Sequence, residues 1–262
     1  MSRLYHTKHA ALLFVLFMAI WTPYRMLTGS LNLSPPTLYL VDAPAKLLAI
    51  LGLTLFVAKR LDGAGPEWIG LKREGLVSAV LLGLAGGVLA WVGHYLLLPA
   101  VFGWNLSVTL VELNTSWLVY AAYVVGVVGL SEEAMDRGYI FQELARDFEG
   151  SQGALIAGVI SSGTFAISHL PIDLFVYEMK PMWTLWHIVG VFSIGLVLAL
   201  YMRVSGNLAA PAAMHSLWDL LLGTLSVSSP WSWSIAAASE ALGLALAALL
   251  PALVLLARRR SR

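Results

Sequence analysis

Eight apolar stretches of about twenty residues recur along this chain, and that recurrence limits its fold more than any other feature. A helix of about twenty residues, at 1.5 Å each, crosses the ~30 Å hydrocarbon core of a bilayer. The pattern predicts spans over about 10–28, 38–58, 76–98, 116–141, 153–171, 183–202, 208–225 and 236–257. A soluble domain is near a quarter charged. Here 12% of 262 residues are charged and 59% are hydrophobic, too little charge for a water-facing surface of this size. Residues 1–262 therefore read as one integral membrane domain, with no soluble one.

The boundaries have recognisable chemistry. The second span ends at Lys59-Arg60, the fifth at Pro171 and the eighth at Arg258-Arg259-Arg260. Gly83-x-x-x-Gly87 in the third span is a spacing that lets helices approach closely. Leu61 to Glu74 is the longest polar loop. Arg3 and Lys8 before an apolar run are reminiscent of a signal peptide, but no small-residue cleavage site follows, so the run is read as a retained first span. The absence of cysteine excludes disulfides, thiolate metal sites and a thiol nucleophile. A net charge of +1 selects no partner class, and no nucleic-acid partner is expected.

The placement of charge says more than its sum. With eight spans, thirteen of the sixteen Lys and Arg fall on one side; only Arg25 and Lys180 fall on the other, and Lys46 lies within a span. The positive-inside rule then puts both termini in the cytoplasm. Trp104, Trp117, Trp183, Trp186, Trp231 and Trp233 gather on the opposite side, as an interfacial belt would.

Ionisable groups within spans are costly, so each needs a reason. In Ser131-Glu132-Glu133-Ala134-Met135-Asp136-Arg137, Glu133 and Arg137 are four apart and share a helix face. Glu132 lies about 100° away with no cation nearby in the sequence. A carboxylate kept from water suits a general base, though the two glutamates also suit the polar end of a helix. His169, near the end of the fifth span, reads alone as an interfacial histidine or as a functional one. His215 and Asp219 share a face of the seventh span, as an oriented catalytic imidazole or as a buried structural hydrogen bond. Asp42 and Lys46, also four apart, are expected to pair with each other. His94, His187 and Glu240 stand singly near span ends and read as structural or interfacial.

Groups on three spans that must all avoid lipid are most cheaply placed around one polar cavity between helices. A cavity with a base, imidazoles and room for water is a hydrolytic site by physical logic. The expected fold is thus all-α: about eight transmembrane helices with a polar intramembrane cavity, and residues 116–225 as the core.

Glu132-Glu133-x-x-x-Arg137, Phe165-x-x-x-His169 and His215-x-x-x-Asp219, in this order, resemble the motifs of the CPBP family of intramembrane proteases. That family holds the type II CAAX prenyl endopeptidases and the bacteriocin-processing and self-immunity proteins. Gly138 and Gly206-Asn207-Leu208 are similar to the family as well; Asp219 stands where asparagine is common. The resemblance implies peptide-bond hydrolysis by a water activated at Glu132 and His169. His215 with Asp219 would stabilise the oxyanion, and Glu133 with Arg137 would hold the site in shape. It leaves the cofactor open: Glu132, His169 and His215 offer zinc a familiar donor mix, but no His-Glu-x-x-His helix is present.

The bilayer and a membrane-anchored protein or peptide are the implied partners, and a bacterial or archaeal plasma membrane is the implied location. With cytoplasmic termini, His169 lies some sixteen residues along an outward helix, about 24 Å, in the outer half of the bilayer. An exported or anchored peptide, such as a C-terminal tail or a leader, fits that position. Two other readings use the same residues: a non-catalytic immunity or chaperone-like binding protein, and a proton-coupled transporter. The transporter reading lacks visibly similar halves.

Overall fold

The structure, a computed structural model, describes residues 4–97, 100, 107–148, 150–228 and 233–260. Its helices are α1 (Tyr5–Ser30), α2 (Pro35–Leu61), α3 (Leu76–Leu97), α4 (Thr115–Asp147), α5 (Gly150–Phe175), α6 (Pro181–Ser205), α7 (Ala209–Leu222) and α8 (Trp233–Arg260). Seven of them are long and apolar enough to cross a membrane, which makes this an all-α polytopic membrane protein. The exception is α7, whose 14 residues extend only about 21 Å. Of the expected tryptophan belt, Trp104 and Trp231 and the side chain of Trp233 lie outside the described residues.

The expected boundaries shift by up to about six residues, and two of the shifts have a clear physical cause. α4 runs to Asp147, well past 141, because Glu143 and Arg146 find polar partners at the bundle end rather than facing lipid. α5 does not stop at Pro171 but continues to Phe175. The proline removes one backbone donor, and packed neighbours tolerate that loss inside a membrane bundle.

Polar contacts define the two ends of the bundle. At one end His6 Nδ1 lies 2.6 Å from Glu143, His9 Nδ1 lies 2.8 Å from Asp62, and the Asn207 amide donates to the Lys72 and Glu74 carbonyls. The lysine- and arginine-rich segments lie here. At the other end, strand β1 (Ser107–Leu110) pairs antiparallel with β2 (Leu225–Ser228), Ser107 opposite Ser228 and Leu110 opposite Leu225. The start of α2, the start of α4 and the α5–α6 turn are at this end too.

Two apolar clusters hold the bundle. One joins α1, α2 and the second half of α4 through Leu13, Phe17, Ile50, Met135 and Tyr139. The other joins α3, α5, α6, α7 and α8 through Phe165, Leu198, Tyr201, Met214 and Ala247. Small residues set the spacing of α7. A Cβ on Gly83 of α3 would lie 2.2 Å from the Ala210 carbonyl oxygen, and one on Gly129 of α4 would lie 2.1 Å from Ser216 Oγ. The Gly83-x-x-x-Gly87 face is thus a helix contact, and the approach at Gly129 brings the Glu132-Glu133 turn beside His215.

Candidate active site

α4 is not a uniform helix. Two π-type stretches, Val124–Val128 and Ala134–Ile140, flank the α-helical turn Gly129–Glu133. Such wide turns are rare and cluster at functional sites. α2 carries another, Leu47–Gly52, immediately after Lys46. Glu132 and Lys46 therefore both sit where a helix changes winding.

Glu132, His169, His215 and Asp219 line one cavity of about 390 Å³ at the seam between the two apolar clusters. Tyr39, Tyr120, Tyr177 and Trp186 line it towards the β1–β2 end. Glu133 and Arg137 stand behind this wall, both 0% exposed, with Arg137 Nη1 3.0 Å from Glu133 Oε1. The Arg137 guanidinium also lies over the Phe165 ring, 4.3 Å from its centroid. The same ring meets His169 and His215 edge-on, at 4.9 and 5.6 Å between centroids. Phe165 is therefore the apolar hub about which the three motifs pack.

Each imidazole is oriented differently. His169 Nδ1 lies 2.8 Å from the Phe165 carbonyl oxygen, one turn back on α5. A carbonyl only accepts, so this contact assigns the hydrogen to Nδ1 and the lone pair to Nε2. His215 has carboxylates on both sides: Nδ1 is 2.9 Å from Glu133 Oε1, and Nε2 is 3.4 Å from Asp219 Oδ2. With acceptors at both nitrogens, His215 is arranged to present two N–H donors. The Glu132 Oε2 oxygen lies 3.8 Å from His215 Nε2 and is buried with no hydrogen-bond partner among the described residues.

The structure corrects the expected pairing of Asp42 with Lys46. Asp42 is taken by Arg25, whose Nη1 lies 2.8 and 2.7 Å from its two oxygens, and it also accepts from Tyr24 Oη at 2.5 Å. Lys46 instead forms a buried ion pair with Glu132 Oε1. Glu132 thus has a cation after all, supplied by another helix. His187 is not solitary: its Nδ1 lies 3.0 and 2.9 Å from the two oxygens of buried Asp173, and its ring is 5.7 Å from that of His169. His187 and Glu240 both line the cavity. Asp136 does as well, fully buried and accepting from Thr164 Oγ1 at 3.1 Å. The Met135-Asp136 step within the expected motif carried the signal for Asp136; Asp173, four residues after His169, carried it for the His187 partner.

A zinc ion at Glu132, His169 and His215 does not fit this arrangement. Among the described residues, one group of three such side chains brings its ligand atoms within 4.8 Å of one another, and it is His6, Asp62 and Glu143 at the far end of the bundle. There Glu143 already accepts from Trp68 and Arg146 as well as facing His6. In the cavity, Glu132 Oε1 is occupied by the Lys46 ammonium, which would repel a metal cation.

Residues 113–221, from just before α4 to the last turn of α7, match the family model described as type II CAAX prenyl endopeptidase Rce1-like. The matched segment contains Glu132, Glu133, Arg137, His169, His215 and Asp219. No curated protein matches the chain.

Proposed function

Because residues 113–221 match the type II CAAX prenyl endopeptidase Rce1-like family model, we propose that this chain is an intramembrane endopeptidase of the CPBP family that cleaves a membrane-associated protein or peptide. The observation that carries the reading is Glu132 Oε2, a buried carboxylate oxygen with no hydrogen-bond partner among the described residues, in a cavity shared with two imidazoles. An uncompensated polar atom in that position is costly unless water or substrate occupies the site.

The proposed reaction uses the chain's own groups. A water held by Glu132 Oε2 and the His169 Nε2 lone pair gives its proton to Glu132 as its oxygen attacks the scissile carbonyl. Negative charge gathers on the carbonyl oxygen, and the Nε2–H of His215, the one that faces the cavity, is the donor that stabilises it. When the C–N bond breaks, Glu132 returns the proton to the leaving amine, so the site ends as it began. Asp219, as an acceptor, orients His215 rather than touching the oxyanion. Glu133 and Arg137 fix His215 from behind the wall. The mechanism routes no step through a metal.

The cavity is lined towards the end opposite the lysine- and arginine-rich segments. With those segments cytoplasmic, the substrate reaches the site from the outer leaflet, as an exported or anchored peptide does. The test is cleavage of such membrane substrates by Glu132→Ala and His169→Ala protein. Processing unchanged in both variants would overturn the protease reading.

A further inference from the structure

We infer that Lys46 is a positioning residue of this site: its ion pair, made from α2, holds Glu132 Oε1 so that Oε2 alone is presented to the reacting water. The inference rests on the protease reading and deepens it. It adds a residue that lies outside the matched segment 113–221, so the site is completed by a helix the family model does not cover.

Lys46 does not pair within its own helix. One turn earlier on the same helix, Asp42 is the nearest carboxylate in the sequence, yet Arg25 of α1 binds both of its oxygens and Tyr24 Oη donates to it. That pair leaves the Lys46 ammonium to cross the bundle to α4. Trp21 supports the geometry, with its ring centroid 4.2 Å from the Arg25 guanidinium carbon and 5.3 Å from Lys46 Nζ. Arg25 and Lys46 thus share one aromatic ring and split between two carboxylates, Asp42 and Glu132.

The consequence for Glu132 is an asymmetric carboxylate. One oxygen is tied to a cation; the other is buried, has no hydrogen-bond partner among the described residues and lies 3.8 Å from His215 Nε2. A glutamate with two equivalent oxygens can turn either into the cavity. A glutamate held at one end has a single productive orientation, which is what near-attack geometry requires. The ammonium also keeps Glu132 in the charged form that accepts a proton, since an unpaired buried carboxylate tends to neutralise. Lys46 also lines the cavity, but its ammonium is on Glu132 Oε1. It acts through Glu132.

The experiment uses the full-length protein in lipid nanodiscs with a cleavable membrane substrate. Lys46→Met is expected to lower kcat about 10- to 100-fold with KM held within about twofold, the size of effect a small misplacement produces. Lys46→Arg is expected to recover most of that loss. In a Glu132→Gln background, adding Lys46→Met is expected to change the residual rate little, because the residue it positions is already disabled. Wild-type rates for Lys46→Met beside an inactive Glu132→Gln would overturn the role of Lys46 and leave the protease reading standing. Wild-type rates for Glu132→Gln would overturn the protease reading itself. The pairing has its own readout that needs no turnover. Infrared spectra of folded Lys46→Met are expected to gain a protonated-carboxyl band that Glu132→Gln removes, and its absence would overturn the pairing. If Lys46→Met fails to fold, Lys46→Gln serves in its place.

Discussion

His215 Nδ1 on α7 lies 2.9 Å from Glu133 Oε1 on α4, and that same oxygen is 3.0 Å from Arg137 Nη1. One carboxylate oxygen therefore joins the first motif to the third, out of reach of the cavity. Breaking a buried pair by removing one partner costs about 3–5 kcal/mol, because the other charge stays behind without its counter-ion. Glu133→Gln is expected to destabilise the protein by about that amount, seen as earlier thermal unfolding in detergent. Glu133→Gln combined with Arg137→Met is expected to cost less than the sum of the single changes, a coupling that a double-mutant cycle reads directly.

Asp219 is the one motif carboxylate that is partly exposed, at 26% of its side chain. As an acceptor orienting His215, it is replaceable by another acceptor. Asp219→Asn is expected to keep cleavage within about tenfold of the wild type, and Asp219→Leu to lose about 10- to 100-fold, the usual cost of disturbing a group that orients a working imidazole. Steady-state rates on one membrane substrate compare the two. Equal losses would argue that charge, not orientation, is what Asp219 contributes.

The α4–α7 approach sets the distance between Glu132 and His215. A Cβ on Gly129 would lie 2.1 Å from Ser216 Oγ and 2.8 Å from the Ala212 carbonyl oxygen, whereas one on Gly126 meets nothing within 4 Å. Overpacking of this kind costs about 1–3 kcal/mol. Gly129→Ala is expected to lower both thermal stability and activity, while Gly126→Ala leaves both near wild type. The pair of variants separates helix spacing from the general effect of losing a glycine in α4.

Because the chain has no cysteine, introduced thiols report its sidedness without a background. Arg73→Cys at the positively charged end is expected to react with an impermeant maleimide only after the cytoplasmic face is opened. Glu112→Cys at the β1–β2 end is expected to react from outside. Both side chains are exposed. The reverse pattern would place the cavity on the cytoplasmic half and call for a cytosolic substrate.

With Lys46 on Glu132 Oε1, and with Glu132, His169 and His215 not among the described groups whose three ligand atoms all lie within 4.8 Å of one another, cleavage is expected to survive strong chelation. Purified protein is expected to hold far less than one zinc per chain by elemental analysis. Chelator inhibition reversed by zinc would show that the cavity rearranges to bind the ion.

Much of this architecture was legible in the sequence because the bilayer simplifies it. Apolar length alone located seven of the spans, and the cost of burying charge pointed to Glu132, His169 and His215. Pairing was less legible. Asp42 and Lys46 have the spacing of an ion pair, but each is satisfied by a residue on another helix, and only the packing of α1 and α4 around α2 decides between the partners. His187 looked solitary because its carboxylate, Asp173, lies across the α5–α6 turn. The end of α5 was misplaced because Pro171 reads as a stop in water, where the freed carbonyl and the exposed backbone would favour a turn. The wide turns of α4 leave no mark in the residue pattern, yet they aim Glu132 and Glu133 at different neighbours.

The brevity of α7 has a consequence for access. A helix of about twenty residues would fill the bundle interior from face to face, but α7 ends at Leu222, some six residues early. Asp219 and Leu222, on its last turn, line the cavity. Past Leu222 the chain turns at Gly223, packed against Tyr120, and runs into β2 and its pairing with β1, so a turn and two short strands stand where the last helical turns would be. Access to His215 from this end is therefore bounded by a turn and two short strands rather than by the continuous backbone hydrogen bonding of a helix.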